Sequence, residues 1–570
     1  MLITTTELTN RQFTAVESTL KDSVPYDYHR QRIDRLIKAA QLQSPRLQRR
    51  EYQLETAALY CTRKKNLAAL SQGLGKTLIA TLVAANIYDR TNRPGTIHIC
   101  IPNATMLPRW LEDLSLLFAP EDILFLQPQH FGAGKLRRRD NLTKWAKVLI
   151  YTHDLVRQSV KQISDPTSNS PLHRMSDRSH TYAHYLNWSC SPSLLIIDEI
   201  HHFKDETSLK YQNLSILARS AKRILGLSGT LSEGNLNSLS AILQLVYQRD
   251  WLYYRQPDRL NSIMGSSVKL GLDYRSGEST LDKTAKQLQS IDEDRLSDYF
   301  NLIRTYVHRL SIDDPIIRPQ IQLPSVEYRS LAVVMSPPQQ TAYQSEIATN
   351  QSALQTLAAS QTQSTTSSVK FQSLLYRAIE ICNSGVDRKS DTPKSDLTLA
   401  LVAEATKTAI FCQYVSSARF IYNQLAASWG TERIIRVYSN DAEFVPVHQR
   451  PQQRWKAIEA FETNPQIKAG VFSLNLAAES IDLVAADRVI VYCSPWSAAK
   501  FDQCLRRTLR PGNKHQHIDV ITIYHDKAID RYQLQLIAAK QQVGSLLLDY
   551  QALPDAAVTV DPNLLISNLF

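Results

Sequence analysis

Between residues 52 and 236, short runs of consecutive apolar residues alternate with longer stretches of helical character. NLAAL (66–70), TIHICIP (96–102), KVLIYT (147–152), SLLIID (193–198) and KRILGLSG (222–229) are apolar on successive positions. That pattern predicts strands of a parallel sheet covered on both faces, since a sheet with one wet face alternates instead. TLIATLVAANIYDR (77–90) and TMLPRWLEDLSLLF (105–118) read as helices between them. The rhythm returns near the C-terminus, where strands are predicted at 407–415, 434–439, 468–474, 487–493 and 518–525, with helices at 416–429 and 450–464. Two α/β halves built from repeated βα units follow.

The stretch between them is different. Residues 237–394 hold LVYQRDWLYYRQ, a Gln/Ser/Thr-rich piece at 352–372 that reads as an exposed loop or fraying helix, and VDRKSDTPKS at 386–395. The expected organisation is an N-terminal helical extension (1–45), a first lobe (46–236), a mostly helical insertion and linker (237–394), a second lobe (395–545) and a tail (546–570).

Composition changes this picture in three respects. A chain of 570 residues is too long for one core, so more than one domain is expected. The net charge of +11 suits a polyanionic partner, nucleic acid before an anionic membrane surface. The seven cysteines are scattered, with no CxxC pair, which argues against a disulfide framework or zinc site and fits a reducing compartment. No secretory signal and no uncharged apolar run of about 18–20 residues is visible, so a soluble intracellular protein is expected and a membrane partner is not.

The chemistry begins at SQGLGKT (71–77), where a predicted buried strand meets a predicted helix. Glycines there let backbone N–H groups curl round phosphate oxygens, and the helix N-terminus adds its dipole. Gly73, Leu74 and Gly75 would form the cradle, Lys76 would neutralise the β- and γ-phosphates of ATP, and the Thr77 hydroxyl would coordinate Mg2+. The first glycine of the full phosphate-loop signature is absent, because its position holds Leu70. A second half of the site is IIDEIH: a buried strand ending in Asp198 and Glu199 places two carboxylates at the carboxyl edge of a parallel sheet, where ligands bind. Asp198 is suited to hold Mg2+ through water, and Glu199 to orient and deprotonate the attacking water. His201 and His202 lack further metal ligands nearby in sequence and read as polar contacts linking the site to neighbouring loops.

At this point the sequence resembles the superfamily-two helicases, with Asp198-Glu199-Ile200-His201 as the DExH box. Leu227-Ser228-Gly229-Thr230 resembles the SGT motif that couples hydrolysis to lobe movement, with His201 on the same path. Arg50-Glu51-Tyr52-Gln53 resembles the segment whose glutamine, here Gln53, contacts the adenine edge. A narrower resemblance is to the Swi/Snf double-stranded DNA translocases, carried by Ile101-Pro102, Pro108-Arg109-Trp110-Leu111-Glu112, Leu323-Pro324, Met335-Ser336-Pro337-Pro338-Gln339 and Tyr343. Ala409-Ile410-Phe411-Cys412-Gln413 and the helix from Arg454 to Phe461 resemble that family's second lobe. Gln503-Cys504-Leu505-Arg506-Arg507-Thr508-Leu509-Arg510-Pro511-Gly512 is similar to its last motif, whose arginines, here Arg507 and Arg510, reach the γ-phosphate. Departures are Ala477-Ala478-Glu479-Ser480 where the family has glycines, Ser71-Gln72 for an acidic pair, and Leu509 for a histidine.

The resemblance implies two tandem RecA-like lobes, ATP and Mg2+ as cofactors, and a motor translocating on double-stranded DNA, with a protein partner for targeting. Two alternatives stay open: a strand-separating helicase on DNA or RNA, such as the motor of a defence or restriction system, and a nucleotide-gated DNA clamp with weak hydrolysis. The basic run Lys135, Arg137, Arg138 and Arg139 is a candidate DNA grip, set against the ordinary solvated charge run.

Overall fold

The computed structural model describes residues 24–44, 47–48, 50–91, 97–127, 146–157, 191–229, 231, 236–248, 303, 305–312, 314–359, 365–438, 450–474, 482–535, 537–538 and 541. Its described residues fall into two compact units, one up to residue 320 and one from 321 on.

The first unit contains strands β1 (Lys65–Leu70), β2 (Ile97–Ile101), β3 (Ile123–Phe125), β4 (Val148–Thr152), β5 (Leu194–Ile197), β6 (Ile224–Ser228) and β7 (Val307–Leu310). Its helices are α1 (Val24–Gln43), α2 (Glu51–Thr62), α3 (Lys76–Thr91), α4 (Leu107–Leu114), α5 (His153–Arg157), α6 (Leu209–Ser220) and α7 (Leu236–Tyr247). The strands form one sheet in the order β3-β4-β2-β5-β6-β1-β7, parallel at every pairing. The central strands β2, β5 and β6 are buried at every residue, as consecutive apolar positions require. From β1 the chain crosses by α3 to β2, skipping the places that β5 and β6 later fill. In open sheets with such a reversal, ligands bind outside the carboxyl ends of the strands, here those of β1, β6 and β5.

The second unit contains β8 (Ser325–Val333), β9 (Thr408–Cys412), β10 (Ile434–Val437), β11 (Ala469–Ser473), β12 (Arg488–Cys493) and β13 (His517–His525). Its helices are α8 (Pro337–Ala359), α9 (Thr365–Ser384), α10 (Pro393–Glu404), α11 (Val415–Trp429), α12 (Arg450–Thr463) and α13 (Ala498–Thr508). The sheet order is β10-β11-β9-β12-β13-β8, again parallel throughout. Phe411, Phe461 and Phe472 meet in its core, with Phe461 edge-on to Phe472 at 5.6 Å between centroids. The α/β reading with two parallel sheets therefore holds.

The stretch expected as a mostly helical insertion is mostly helical in its described residues, and it also supplies an edge strand to each sheet: β7 to the first and β8 to the second. An edge strand is only partly covered, so β8 mixes charged and apolar side chains (SVEYRSLAV) and gives no run of buried positions. The Gln/Ser/Thr-rich piece is helical in its described parts, at the end of α8 and the start of α9. The helix expected at 105–118 is shorter, running from Leu107 to Leu114 after a 3-10 turn. The charge run at 135–139, Thr230, the 477–480 segment and the 546–570 tail lie outside the described residues. Among the described residues no helix is long and apolar enough to cross a membrane, and Cys61, Cys100, Cys382, Cys412, Cys493 and Cys504 are buried.

Candidate nucleotide site

The loop after β1 is shaped by two glycines. Gly73 and Gly75 have φ of 88° and 77°, the left-handed region where a Cβ collides with the following carbonyl oxygen. Gly75 has a second constraint, since a Cβ there would stand 2.5 Å from the Gln53 side-chain nitrogen. Between them Leu74 is fully buried. Its carbonyl accepts hydrogen bonds from the Tyr52 hydroxyl and from Gln53 Nε2, both at 3.0 Å. α2 thus fixes the loop, and Gln53, expected at the adenine edge, has its amide nitrogen on the loop backbone.

Lys76 opens α3, and its ammonium donates to the Leu70 carbonyl at 3.3 Å. Leu70, the residue in place of the signature's first glycine, is the buried end of β1 and supplies this acceptor. Thr77 follows within the first turn of the same helix. Gly229, just beyond β6, comes close enough that a Cβ would lie 3.2 Å from Lys76 Nζ. The ends of β1 and β6 therefore meet at this lysine.

The carboxylate pair caps β5. The Asp198 N–H donates to the Cys100 carbonyl at 2.9 Å, carrying the β2–β5 pairing one residue past the strand. Oδ1 of Asp198 accepts from the Glu199 N–H at 3.0 Å, and Oδ2 accepts from the Trp110 indole N–H at 3.0 Å. The Asp198 carbonyl lies 3.0 Å from His153 Nε2. A carbonyl only accepts, so this nitrogen carries the proton. Burial, with the nearby His202, pushes His153 well below its usual pKa, which keeps the ring neutral.

Burial and the charge of Glu199 push the Asp198 carboxyl up to about 6, against the pull of the Trp110 N–H and of Lys76. Glu199 itself sits at φ 45° and ψ 53°, a left-handed conformation that costs a non-glycine residue about 1–2 kcal/mol. Its Oε2 is 3.3 Å from His201 Nδ1, and that nitrogen is 2.9 Å from the Ser228 hydroxyl. His201 is buried and stacks on His202 with centroids 4.5 Å apart. The structure thus gathers Gln53, Gly73, Leu74, Gly75, Lys76, Thr77, Asp198, Glu199, His201, Ser228 and Gly229 along one edge of the first sheet. Hard oxygen donors, the Thr77 hydroxyl and the Asp198 carboxylate, are the kind that suit Mg2+. The Asp198 carboxyl is raised chiefly by burial and next by the adjacent Glu199 charge, so two carboxylates stand together at this edge.

The remaining expected residues lie on the second unit. Ser497 caps α13, and Gln503 and Arg507 are buried on that helix. The Arg507 carbonyl accepts from the Leu483 N–H at 3.0 Å. Arg510 pairs with the Asp482 carboxylate, and its Nε donates to the Arg506 carbonyl at 3.1 Å. Sequence reasoning assigned no role to Trp110, His153 or Asp482. Of the three, Trp110 lay within a stretch that resembles a family motif.

The family model for "Type III restriction enzyme, res subunit" matches residues 22–233, and the "Helicase conserved C-terminal domain" model matches residues 393–512. The chain is 27% identical over 188 residues to Protein CHROMATIN REMODELING 19 of Arabidopsis thaliana, covering 32% of this chain and 22% of that protein. It is 22% identical over 520 residues to the ISWI chromatin-remodeling complex ATPase ISW1 of Saccharomyces cerevisiae, covering 88% of this chain and 40% of that protein. The chain thus spans well under half the length of these relatives. It aligns with the Sulfolobus solfataricus SWI2/SNF2 ATPase core in complex with dsDNA at 18% identity and a TM-score of 0.35, over 90% of this chain and 94% of that one. Helicase-type models thus match parts of both units and one remodelling ATPase aligns along most of the chain, so the chain is similar to the Swi/Snf-type helicase-like ATPases.

Proposed function

We propose that this protein hydrolyses ATP and is a motor that tracks along double-stranded DNA and displaces or remodels what is bound there. The observation that carries the reading is the convergence of Lys76 after β1, Asp198 and Glu199 after β5, and the His201–Ser228 contact at the end of β6. In this reading the loop N–H groups and Lys76 hold the triphosphate, and Thr77 and Asp198 hold Mg2+. Mg2+ held there would supply charge neutralisation at the phosphate oxygens. Glu199 takes a proton from the attacking water as its oxygen bonds to the γ-phosphorus and the bond to ADP breaks. His201 and Ser228 pass the nucleotide state on to the loop after β6, and Gln503 has the corresponding role on the second unit. Arg507 and Arg510 are proposed to spread the charge of the transferring phosphoryl group, the task for which a planar guanidinium is suited.

The net charge of +11 supports a polyanionic track, and the remodelling relatives support duplex DNA. Contacts mostly to phosphates would make binding salt-dependent and nearly blind to sequence. Seven scattered cysteines with no CxxC pair support a reducing, intracellular location. A second reading, the strand-separating motor of a restriction system, is favoured by the family model matching residues 22–233.

The test is the ATPase rate alone and with duplex DNA, single-stranded DNA or RNA, beside a strand-displacement assay. Greatest stimulation by duplex without displacement is expected. Stimulation by single strands only, with displacement, would replace the first reading by the second.

A further inference from the structure

We propose that Trp110 and His153 are positioning residues that clamp the Asp198–Glu199 turn for a Mg2+-bound nucleotide. The inference rests on the ATP-site reading above and deepens it. Asp198 is tied at four atoms: its N–H to Cys100, Oδ1 from Glu199, Oδ2 from Trp110 and its carbonyl from His153. The last two ties come from outside the strand and turn, one from α4 and one from α5, 88 and 45 positions away in sequence. Both donors are themselves buried, Trp110 fully and His153 to within 6%.

A left-handed Glu199 persists only when its surroundings over-determine it. The preceding residue is where that determination is applied. The indole fixes the plane of the Asp198 carboxylate, and the imidazole fixes the peptide that leads into Glu199. A carboxylate has about four acceptor sites. The N–H groups of Trp110 and Glu199 take one on each oxygen, which leaves each oxygen a further acceptor site for a metal-bound water. His153 also packs edge-on to Phe203 at 4.6 Å between centroids, in the 3-10 turn that Glu199 opens, so its ring meets the turn on both sides of Glu199. Donors of this kind behind a metal ligand commonly govern metal affinity by about 10–100-fold.

A packing role would be satisfied by ring bulk alone, which gives the test. Binding of a fluorescent ATP analogue is titrated against Mg2+ in the full chain, with Mg2+-free binding and thermal unfolding measured alongside. Trp110→Phe keeps the ring and removes the donor. Its Mg2+ midpoint is expected to rise roughly tenfold, with Mg2+-free binding unchanged. A wild-type midpoint in Trp110→Phe would overturn the clamp. His153→Gln retains an amide donor at a similar reach and His153→Leu does not. The glutamine variant is expected near the wild-type midpoint and the leucine variant well above it. Equal midpoints in the two His153 variants would also overturn the clamp, and this pair decides the matter should Trp110→Phe fold poorly. Failure of the wild-type chain to bind the analogue at all would overturn the ATP site itself, a result distinguishable from a clamp that fails alone.

Discussion

Replacing Lys394 by methionine probes what holds the second unit together. Lys394 lies in the first turn of α10 and is only 1% exposed. Its ammonium donates to Asn383 Oδ1 at 2.9 Å and to Asp530 Oδ2 at 3.2 Å, and stands 5.3 Å from the centre of the Tyr492 ring. Asp530 is equally buried and also accepts from the His525 backbone N–H at 2.9 Å, with His525 Nδ1 at 3.1 Å. Burial pushes the Asp530 carboxyl up, but the Lys394 charge and His525 outweigh it and hold the carboxyl at about 2, below its ordinary 3.8. At about 1.4 kcal/mol per pH unit, that drop is worth roughly 2 kcal/mol. Removing one partner of a buried pair costs more, about 3–5 kcal/mol, because the other charge is left uncompensated. Urea unfolding at pH 7 is therefore expected to show a loss of about 3–5 kcal/mol for Lys394→Met, partly recovered in Lys394→Met/Asp530→Leu. The sign with pH follows from a depressed carboxylate: the stabilisation is present above pH 3.8 and is lost as pH falls through about 2. The wild-type advantage should accordingly hold from pH 7 to about 4 and shrink below. A loss under about 1 kcal/mol for the single variant at pH 7, typical of an exposed pair, would refute the reasoning.

Two further outcomes concern the nucleotide. Gly75→Ala places a Cβ in the left-handed region and 2.5 Å from the Gln53 nitrogen, so the loop must shift. Binding of a fluorescent ATP analogue should weaken at least about tenfold, from the roughly 1–2 kcal/mol of backbone strain and the lost Gln53 contact; tight binding would show that the loop does not hold the phosphates. Arg507→Ala should lower single-turnover hydrolysis by at least about 10³ while the analogue still binds, and an unchanged rate would remove Arg507 from the mechanism.

Much of the fold was legible because both sheets are parallel and covered, so each central strand shows as a run of apolar residues. β3, β7 and β8 escaped for the opposite reason. They lie at sheet edges, and the β8 pattern of half-buried and exposed positions matches no simple period. The phosphate loop was legible because its backbone demands glycine at positive φ, which leaves a local trace in sequence. Contacts across sequence left none. Trp110 reads as one more apolar helix residue, and nothing near it announces Asp198. Lys394, in the polar stretch VDRKSDTPKS, reads as a solvated cation, yet its partner Asp530 lies 136 residues away in a dry interior.

The measurement that tests the central claim most directly is hydrolysis by Glu199→Gln, compared with wild type at saturating duplex DNA, with binding of the ATP analogue followed in parallel. Gln keeps the size and the left-handed turn but cannot take a proton. The rate is expected to fall by about 10²–10⁴ while the nucleotide still binds. Hydrolysis at the wild-type rate would mean that Glu199 is not the base and that the carboxylate pair at the end of β5 is not the site of the chemistry.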